Sequence, residues 1–317
     1  MMQPVIIVDL LNIFIRCYEA YPQMSQLNGD QIGGCIGFLK SIAKIARDQQ
    51  PSRIYIAWEG GGSSRRRALY SEYKLSRKPA KLNRFYGDDI PDTEENRKHQ
   101  LLTLLKISKC LPVCNLYVSD AEGDDLAAYL CKGPLRDQQK IIWSGDKDFY
   151  QLFDKDTWAY SPHKKRMITT RDVFEEFRVT SNNFAIAKAL CGDTSDNVPG
   201  IKGLGFKTCA KRFPMLGLDQ TILLQDVIAY AWAHRTESKV YQEVCDNEAI
   251  VKRNYRLVYL DGSMVPAQQQ AIVDEKILNY VPKADRIGLI GLLKKEGVGD
   301  FDVLTFFQAF DTVMLSK

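Results

Sequence analysis

The sequence predicts an α/β protein, with a mostly parallel sheet flanked by helices and then a helical C-terminal part. Three observations lead there. Short apolar runs alternate with helical patterns through the first half of the chain, which is how successive βαβ units read. From about residue 170 onward the chain is helix-rich. At 317 residues and 45% hydrophobic content there is ample material for one large core or two smaller ones.

The elements follow in order. "PVIIVD" (4–9), "SRIYIAWE" (52–59), "LPVCNLYVSD" (111–120) and "QKIIWSGD" (139–146) read as buried strands. Segments 30–48, 94–109, 123–132 and 146–153 read as helices between or after them. Strands alternating with helices imply a parallel sheet covered on both faces. The helix-rich part opens at "TTRDVFEEF", with Thr170 as a candidate N-cap. There are no internal repeats and no low-complexity tracts.

Composition excludes several classes. Net charge is +4 and the isoelectric point is near 8.5, too mild to argue for nucleic acid by itself. Eight cysteines are scattered, only Cys110 and Cys114 lie close together, and none of His99, His163 and His234 sits near a cysteine pair. That is not zinc-site spacing. The thiols read as reduced core residues of a cytosolic protein. The N-terminal apolar run is short and carries Asp9, so neither a signal peptide nor a membrane span is expected.

The stretch "VSDAEGDDLAAYL" (118–130) crowds Asp120, Glu122, Asp124 and Asp125 directly before an apolar helix. Asp9 ends the first strand, Glu59 ends the second, and Asp146 and Asp148 follow the fourth. In an open α/β sheet these strand ends share one edge, where ligands bind. Each group alone has an ordinary explanation, because acids at helix starts cap the helix and complement its dipole. Four groups at four strand ends go beyond that. So many carboxylates in one crevice cannot all ionise without cations. An all-oxygen donor set selects hard divalent ions, Mg²⁺ or Mn²⁺, and the number of acids suggests two. Two such ions are a recurrent device for phosphodiester cleavage.

Residues 65–84, "RRRALYSEYKLSRKPAKLNR", hold eight Lys or Arg against Glu72 alone, so the rest of the chain is net acidic. Arg65, Arg66 and Arg67 open the run, and Tyr70, Tyr73, Phe85 and Tyr86 lie within or beside it. Basic residues interleaved with aromatics suit single-stranded nucleic acid. A solvated charged surface is the plainer alternative, but the run follows strand-end Glu59 and so hangs over the crevice.

A second signal is "GDTSDNVPGIKGLGFKTCAKRF" (192–213), which adds Asp193 and Asp196. Gly200, Gly203 and Gly205 form a tight turn before a helix starting near Phe206, with Lys202, Lys207, Lys211 and Arg212 around it. This is the pattern of a helix-hairpin-helix that grips duplex backbone without reading bases. Three further features are less specific. "SPHKKR" (161–166) reads as a solvated turn with duplex contact as an alternative. Arg16 is a surface charge or a phosphate clamp. "DFDVLTFF" (300–307) is similar to a clamp-binding box without its glutamine.

Taken in order, "VDLLN", "YKLSR", "AEGDDLAAYL", "SGDKDFYQL" and "GDTSDNVPGIKGLGFKTC" resemble the 5′-nucleases: bacterial and phage 5′–3′ exonucleases, the phage ribonuclease H type and flap endonucleases. The motifs cover about residues 4–215, and "RNYRLVYLD" and the residues after it are similar to the phage members more loosely. The resemblance implies a PIN-like catalytic domain over 1–175, with an arch at about 62–100 that passes a single-stranded 5′ end. It implies a helical domain over 176–317 with the helix-hairpin-helix at about 192–213. It implies that Asp9, Glu59, Glu122, Asp124, Asp125, Asp146, Asp148, Asp193 and Asp196 are metal-site carboxylates. Tyr73 and Lys74 match the family's pair at the arch base, where the lysine meets the scissile phosphate, and Arg77 and Arg16 match nearby catalytic basic positions. The turn at 200–205 would hold duplex, with a K⁺ ion. Two departures stand out. Glu59 replaces the usual Asp and is followed by "GGG", and Gly123 replaces a common Ala. By the same resemblance, a stand-alone enzyme without a polymerase part is expected.

The expected function is a two-metal, structure-specific 5′-nuclease that leaves 5′-phosphates. Its expected substrates are DNA with a free 5′ end, flap or junction, and RNA–DNA hybrids. A sliding clamp and a single-strand-binding protein are candidate partners. It is expected to act as a monomer in the cytoplasm of a bacterium or phage-infected cell. A small-molecule phosphatase is the rival enzyme, but the aspartyl-phosphate type needs a paired Asp after the first strand and "VDLLN" has only Asp9. A non-catalytic junction-binding protein is the rival of another class, and its mark would be lost carboxylates.

Overall fold

The computed structural model describes residues 3–21, 31–75 and 94–316. The first strand, β1 (Val5–Asp9), alternates its side chains between two hydrophobic clusters. Val5 and Ile7 enter one, Ile6 and Val8 the other. A strand buried on both faces needs helices on both faces, which is why this run carries no polar alternation.

After β1 come α1 (Leu10–Ala20), α2 (Gly33–Gln49), β2 (Arg53–Trp58), α3 (Ser64–Leu69), α4 (Glu94–Ser108), β3 (Cys114–Tyr117), α5 (Gly123–Lys132) and β4 (Lys140–Trp143). A 3₁₀ helix (Lys147–Leu152) replaces the α-helix expected there. β5 (Thr157–Ser161) and β6 (Arg166–Ile168) extend the sheet beyond the four strands expected from the sequence. The strand order is β3-β2-β1-β4-β5-β6, parallel throughout except for β6 at the edge. Register is level: Asp9 sits beside Ala57 of β2, and Val8 beside Trp143 of β4. The chain progresses from β1 outward through β2 and β3, then returns to the other side of β1. The gap between β1 and β4 is therefore the topological switch point, where a crevice opens in this fold class.

The rest comprises α6 (Thr170–Phe177), α7 (Phe184–Cys191), a two-residue hairpin β7 (Gly192–Asp193) and β8 (Val198–Pro199), then α8 (Phe206–Arg212), α9 (Leu224–Ala233), α10 (Lys239–Asp246), α11 (Glu248–Val258), α12 (Ala267–Leu278), α13 (Arg286–Lys295), α14 (Val303–Gln308) and α15 (Asp311–Leu315). The N-cap of α6 is Thr169, not Thr170. Asp172 accepts from the Thr169 backbone N–H at 2.8 Å and from its hydroxyl at 2.9 Å, and one residue later that reciprocal geometry is lost.

Both clusters draw on both halves of the chain. Val251 and Val273 join the cluster containing Ile7, while Leu289, Phe306 and Phe310 join the one containing Ile6. The division at 175 is thus one of chain order, not of separate cores. Val303, Phe306 and Phe307 are buried, so the clamp-like segment spends its aromatics on the core. Among the described residues the eight cysteines are free, and no helix is long and apolar enough to cross a membrane.

Candidate active site

Each strand end along the crevice hands a carboxylate to the turn that follows. Asp9 ends β1 and caps α1. Its carboxylate accepts from the Ser144 hydroxyl at 2.7 Å and, at a long 3.5 Å, from the Asn12 N–H. Asp146 caps the 3₁₀ helix by accepting from the Asp148 N–H at 2.9 Å. Glu122 caps α5, with Asp124 and Asp125 in its first turn. Glu59 follows β2 directly. The chain turns away there through Gly60, where a Cβ would lie 1.9 Å from the Val118 carbonyl oxygen, so only glycine fits.

Asp9, Glu59, Glu122, Asp124 and Asp146 line one cleft of about 590 Å³, together with Lys74, Thr194 and Ser195. The carboxylates fall into two groups. Oxygens of Glu122, Asp124 and Asp125 lie within 4.8 Å of one another, and so do those of Asp148, Asp193 and Asp196. The first group follows β3. The second joins the 3₁₀ helix to the β7–β8 hairpin.

Three cations answer these acids. Arg66 is 1% exposed, and its guanidinium meets both Asp125 oxygens at 2.6 Å and Glu122 at 3.0 Å. Its Nε donates to the Leu257 carbonyl at 2.9 Å. Arg66 was expected on a nucleic-acid surface beside Arg65 and Arg67. It lies inside instead, because a planar fork matches paired carboxylates well enough to offset its desolvation. Tyr73 is likewise buried rather than offered for stacking, and its hydroxyl donates to Glu122 at 3.0 Å and Asp196 at 3.2 Å.

Lys74 is the second cation. Its Nζ lies 2.7 Å from Glu122 and 3.9 Å from Asp196, with the side chain 20% exposed. Its backbone has φ of 60°, a left-handed value uncommon for a non-glycine residue, and its N–H donates to the Asp196 carbonyl at 2.9 Å. The third is Lys188 of α7, which pairs with Asp148 and, at 2.7 Å, with Asp193. Sequence reasoning missed Lys188. Its signal was a single lysine inside the otherwise apolar "FAIAKALC".

Burial pushes Asp9 up to about 7, against the Ser144 hydrogen bond and with added repulsion from Asp146 and Asp124. Burial also raises Asp125 to about 6, with Asp124 adding to it and Arg66 opposing. Asp146 rises for the same reason despite Lys188. Asp124 is also desolvated, but Arg66 and Lys74 outweigh that and hold it low. Lys188 does the same for Asp193. Acids crowded to this degree, with oxygen as the sole donor type, fit hard divalent ions and not zinc–thiolate chemistry.

Two more residues missed from sequence brace the elements that carry the second carboxylate group, Asn254 the β7–β8 hairpin and Gln151 the 3₁₀ helix. Asn254 of α11 is fully buried and donates to the carbonyls of Ala189 at 3.0 Å and Pro199 at 2.7 Å. Gln151 ties the 3₁₀ helix to the Val258 carbonyl at 2.9 Å.

Among the described residues, the other expected ones are not part of the cleft lining. Arg77 and the middle of the expected arch, 76–93, lie outside the described residues. Arg65 and Arg67 are exposed on α3. Arg16 is exposed and lines a different cavity. In the turn before α8, Lys202, Gly203 and Gly205 are exposed, as are Lys207 and Lys211 on the helix itself. Gly200 has a packing reason to be glycine, since its Cβ would sit 2.0 Å from the Cys191 carbonyl oxygen.

The sequence model for the 5′-3′ exonuclease N-terminal, resolvase-like domain matches residues 4–178. A 5′-3′ exonuclease of Aquifex aeolicus is 26% identical over 223 residues, covering 70% of this chain and 73% of that protein. A flap endonuclease Xni of Shewanella woodyi is 25% identical over 269 residues, covering 82% and 93%. Against DNA polymerase I relatives the chain spans about a quarter of their length. Among solved structures, T5 5′-exonuclease with divalent metal ions (zinc) bound superposes with a TM-score of 0.70 at 20% identity, covering 87% of this chain and 98% of that one.

Proposed function

We infer the reaction from one premise: this chain belongs to the family of 5′-3′ exonuclease N-terminal, resolvase-like domains. It is a metal-dependent nuclease of the 5′–3′ exonuclease and flap endonuclease kind, hydrolysing phosphodiester bonds of DNA. The observation that carries this is the pair of oxygen-only carboxylate groups beside one cleft.

The roles of individual residues are our proposal. Glu122 and Asp124, with Asp9, Glu59 and Asp146 around them, would hold one divalent ion, and Asp148, Asp193 and Asp196 a second. Mg²⁺ is the ion we assign, with Mn²⁺ able to replace it, because carboxylate and water donors suit hard ions. Bound there, the ions would supply water activation and neutralise charge on the phosphate. Asp125 serves from behind, spending its oxygens on Arg66. Lys74 is the partly exposed cation in the cleft, and we assign it to the scissile phosphate, a contact that would release it from Glu122. Water adds to phosphorus, the bond to the 3′-oxygen breaks, and that oxygen takes up a proton, so the cut strand carries a 5′-phosphate.

The turn at 200–205, with Lys202, Gly203, Lys207 and Lys211, is proposed to hold duplex phosphates, with K⁺ as the candidate ion there. The segment around Arg77 is proposed as the arch for an unpaired 5′ end. RNA–DNA hybrids are a further proposed substrate.

The test is a gel with a 5′-labelled flap, a nicked duplex and an RNA–DNA hybrid, each with and without Mg²⁺. Asp146→Asn with Asp148→Asn should abolish cleavage and leave duplex binding largely intact. Cleavage surviving both changes at the normal rate would overturn the metal assignment. Binding without any cleavage by the unmodified chain would favour the junction-binding alternative.

A further inference from the structure

Two basic features of the sequence stand outside the acid cleft: Arg16 on α1 and Lys165 in the turn between β5 and β6. The fold brings them to one cavity of about 400 Å³, within the roughly 300–1,000 Å³ of small-ligand sites. α1 stands between the two sites, with Asn12 lining the cleft and Arg16 lining the cavity. Lys44 of α2 supplies a third cation, and no carboxylate is among the described residues that line the cavity. Lys44 does pair with Asp48 at 2.6 Å, but both side chains are exposed, and such pairs yield easily to a phosphate.

The wall is aromatic as well as basic. Tyr21, Tyr160 and Trp143 line it. Trp143 is 2% exposed, and its indole N–H has no hydrogen-bond partner among the described residues. That nitrogen is closed to solvent and Phe38 stacks on the ring at 6.1 Å, so Trp143 closes the floor, while exposed Tyr21 and half-buried Tyr160 form the part of the wall a ligand can meet. Cations select an anion, and aromatic faces select a flat ring.

We propose that this cavity binds one nucleotide unit, with its phosphate on Arg16, Lys44 and Lys165 and its base against Tyr21 and Tyr160. Inorganic phosphate would leave the wall uncovered. A nucleoside would leave the cations unanswered. A free nucleoside monophosphate and an unpaired nucleotide of a strand share the required chemistry. The site is independent of the catalytic reading, since it needs neither metal nor cleavage.

The test is equilibrium dialysis of labelled dAMP against the full chain in EDTA, where the acid cleft repels phosphate. Saturable binding is expected, with adenosine and inorganic phosphate each at least about tenfold weaker. Lys165→Ala, which removes an exposed charge, and Tyr160→Ala, which removes a ring, should each weaken dAMP about tenfold. Displacement of dAMP by a short oligothymidylate identifies a strand nucleotide as the occupant, and failure to displace it identifies the free nucleotide. No saturable dAMP binding, or one dissociation constant for the unmodified chain and both variants, would overturn the proposal.

Discussion

Arg66 holds both carboxylate oxygens of Asp125 at 2.6 Å, across 59 residues of sequence. The helix that opens the expected arch is thereby anchored to the acids that begin α5. The same guanidinium reaches Glu122 at 3.0 Å, so one cation organises one side of the cleft.

Arg66→Ala should therefore destabilise the protein by about 3–5 kcal/mol, because it strands two buried carboxylates. Arg66→Lys should recover little of this, since a point charge cannot reproduce a bidentate fork. Denaturant midpoints at constant slope measure it. A loss below about 1 kcal/mol for Arg66→Ala would show that the acids relax to water.

Asn254 braces the hairpin of Asp193 and Asp196 from α11. Asn254→Ala leaves the buried Ala189 carbonyl and the part-buried Pro199 carbonyl short of a donor and should cost about 1–3 kcal/mol. It should also weaken one class of divalent ion more than the other, because only one carboxylate group rests on that hairpin. Mn²⁺ binding followed by electron paramagnetic resonance separates the classes. Equal weakening of both would show a general loss of folding instead.

Acidity should stabilise the metal-free protein. Asp9 is raised to about 7 and Asp125 to about 6, and Asp146 is raised too. Each binds a proton in the folded chain where the unfolded chain has lost it, so stability falls as pH rises from about 4 to 7. The depressed groups, Asp124 and Asp193, lose their contribution only below the ordinary Asp range and do not oppose this in that window. In EDTA the melting temperature should be higher at pH 5 than at pH 8, and Mg²⁺ should restore it at pH 8. A melting temperature that rises across that interval in EDTA would contradict the assignment.

Lys207→Ala with Lys211→Ala should weaken binding to duplexes of any sequence. The slope of log affinity against log salt should fall by about 1 for each lysine–phosphate pair removed. An unchanged slope would place those exposed lysines away from the backbone.

Much of the site was legible because its chemistry is local. Asp9, Glu122 and Asp146 stand where strands end and helices begin, and both boundaries leave marks in apolar period and capping residues. β5 and β6 were not legible, since "TWAYS" is half-buried in alternation and flanked by charged residues rather than a continuous apolar run, "RMI" has three residues, and β6 pairs only along an edge.

By itself, the sequence determined that acids gather at one edge of a parallel sheet and that their ligand chemistry is all oxygen. Those facts follow from periodicity and donor type along a single stretch. Only the tertiary structure decided which cations answer the acids. Arg66 and Arg67 are neighbours in the same basic run, yet one is buried against Asp125 and the other is exposed. Lys188, one charge in an apolar helix, gains its partner only because α7 packs against the 3₁₀ helix carrying Asp148. A charge reads the same in sequence whether water or a carboxylate surrounds it. Desolvation and ion pairing depend on distance across the fold, and that distance is set by packing.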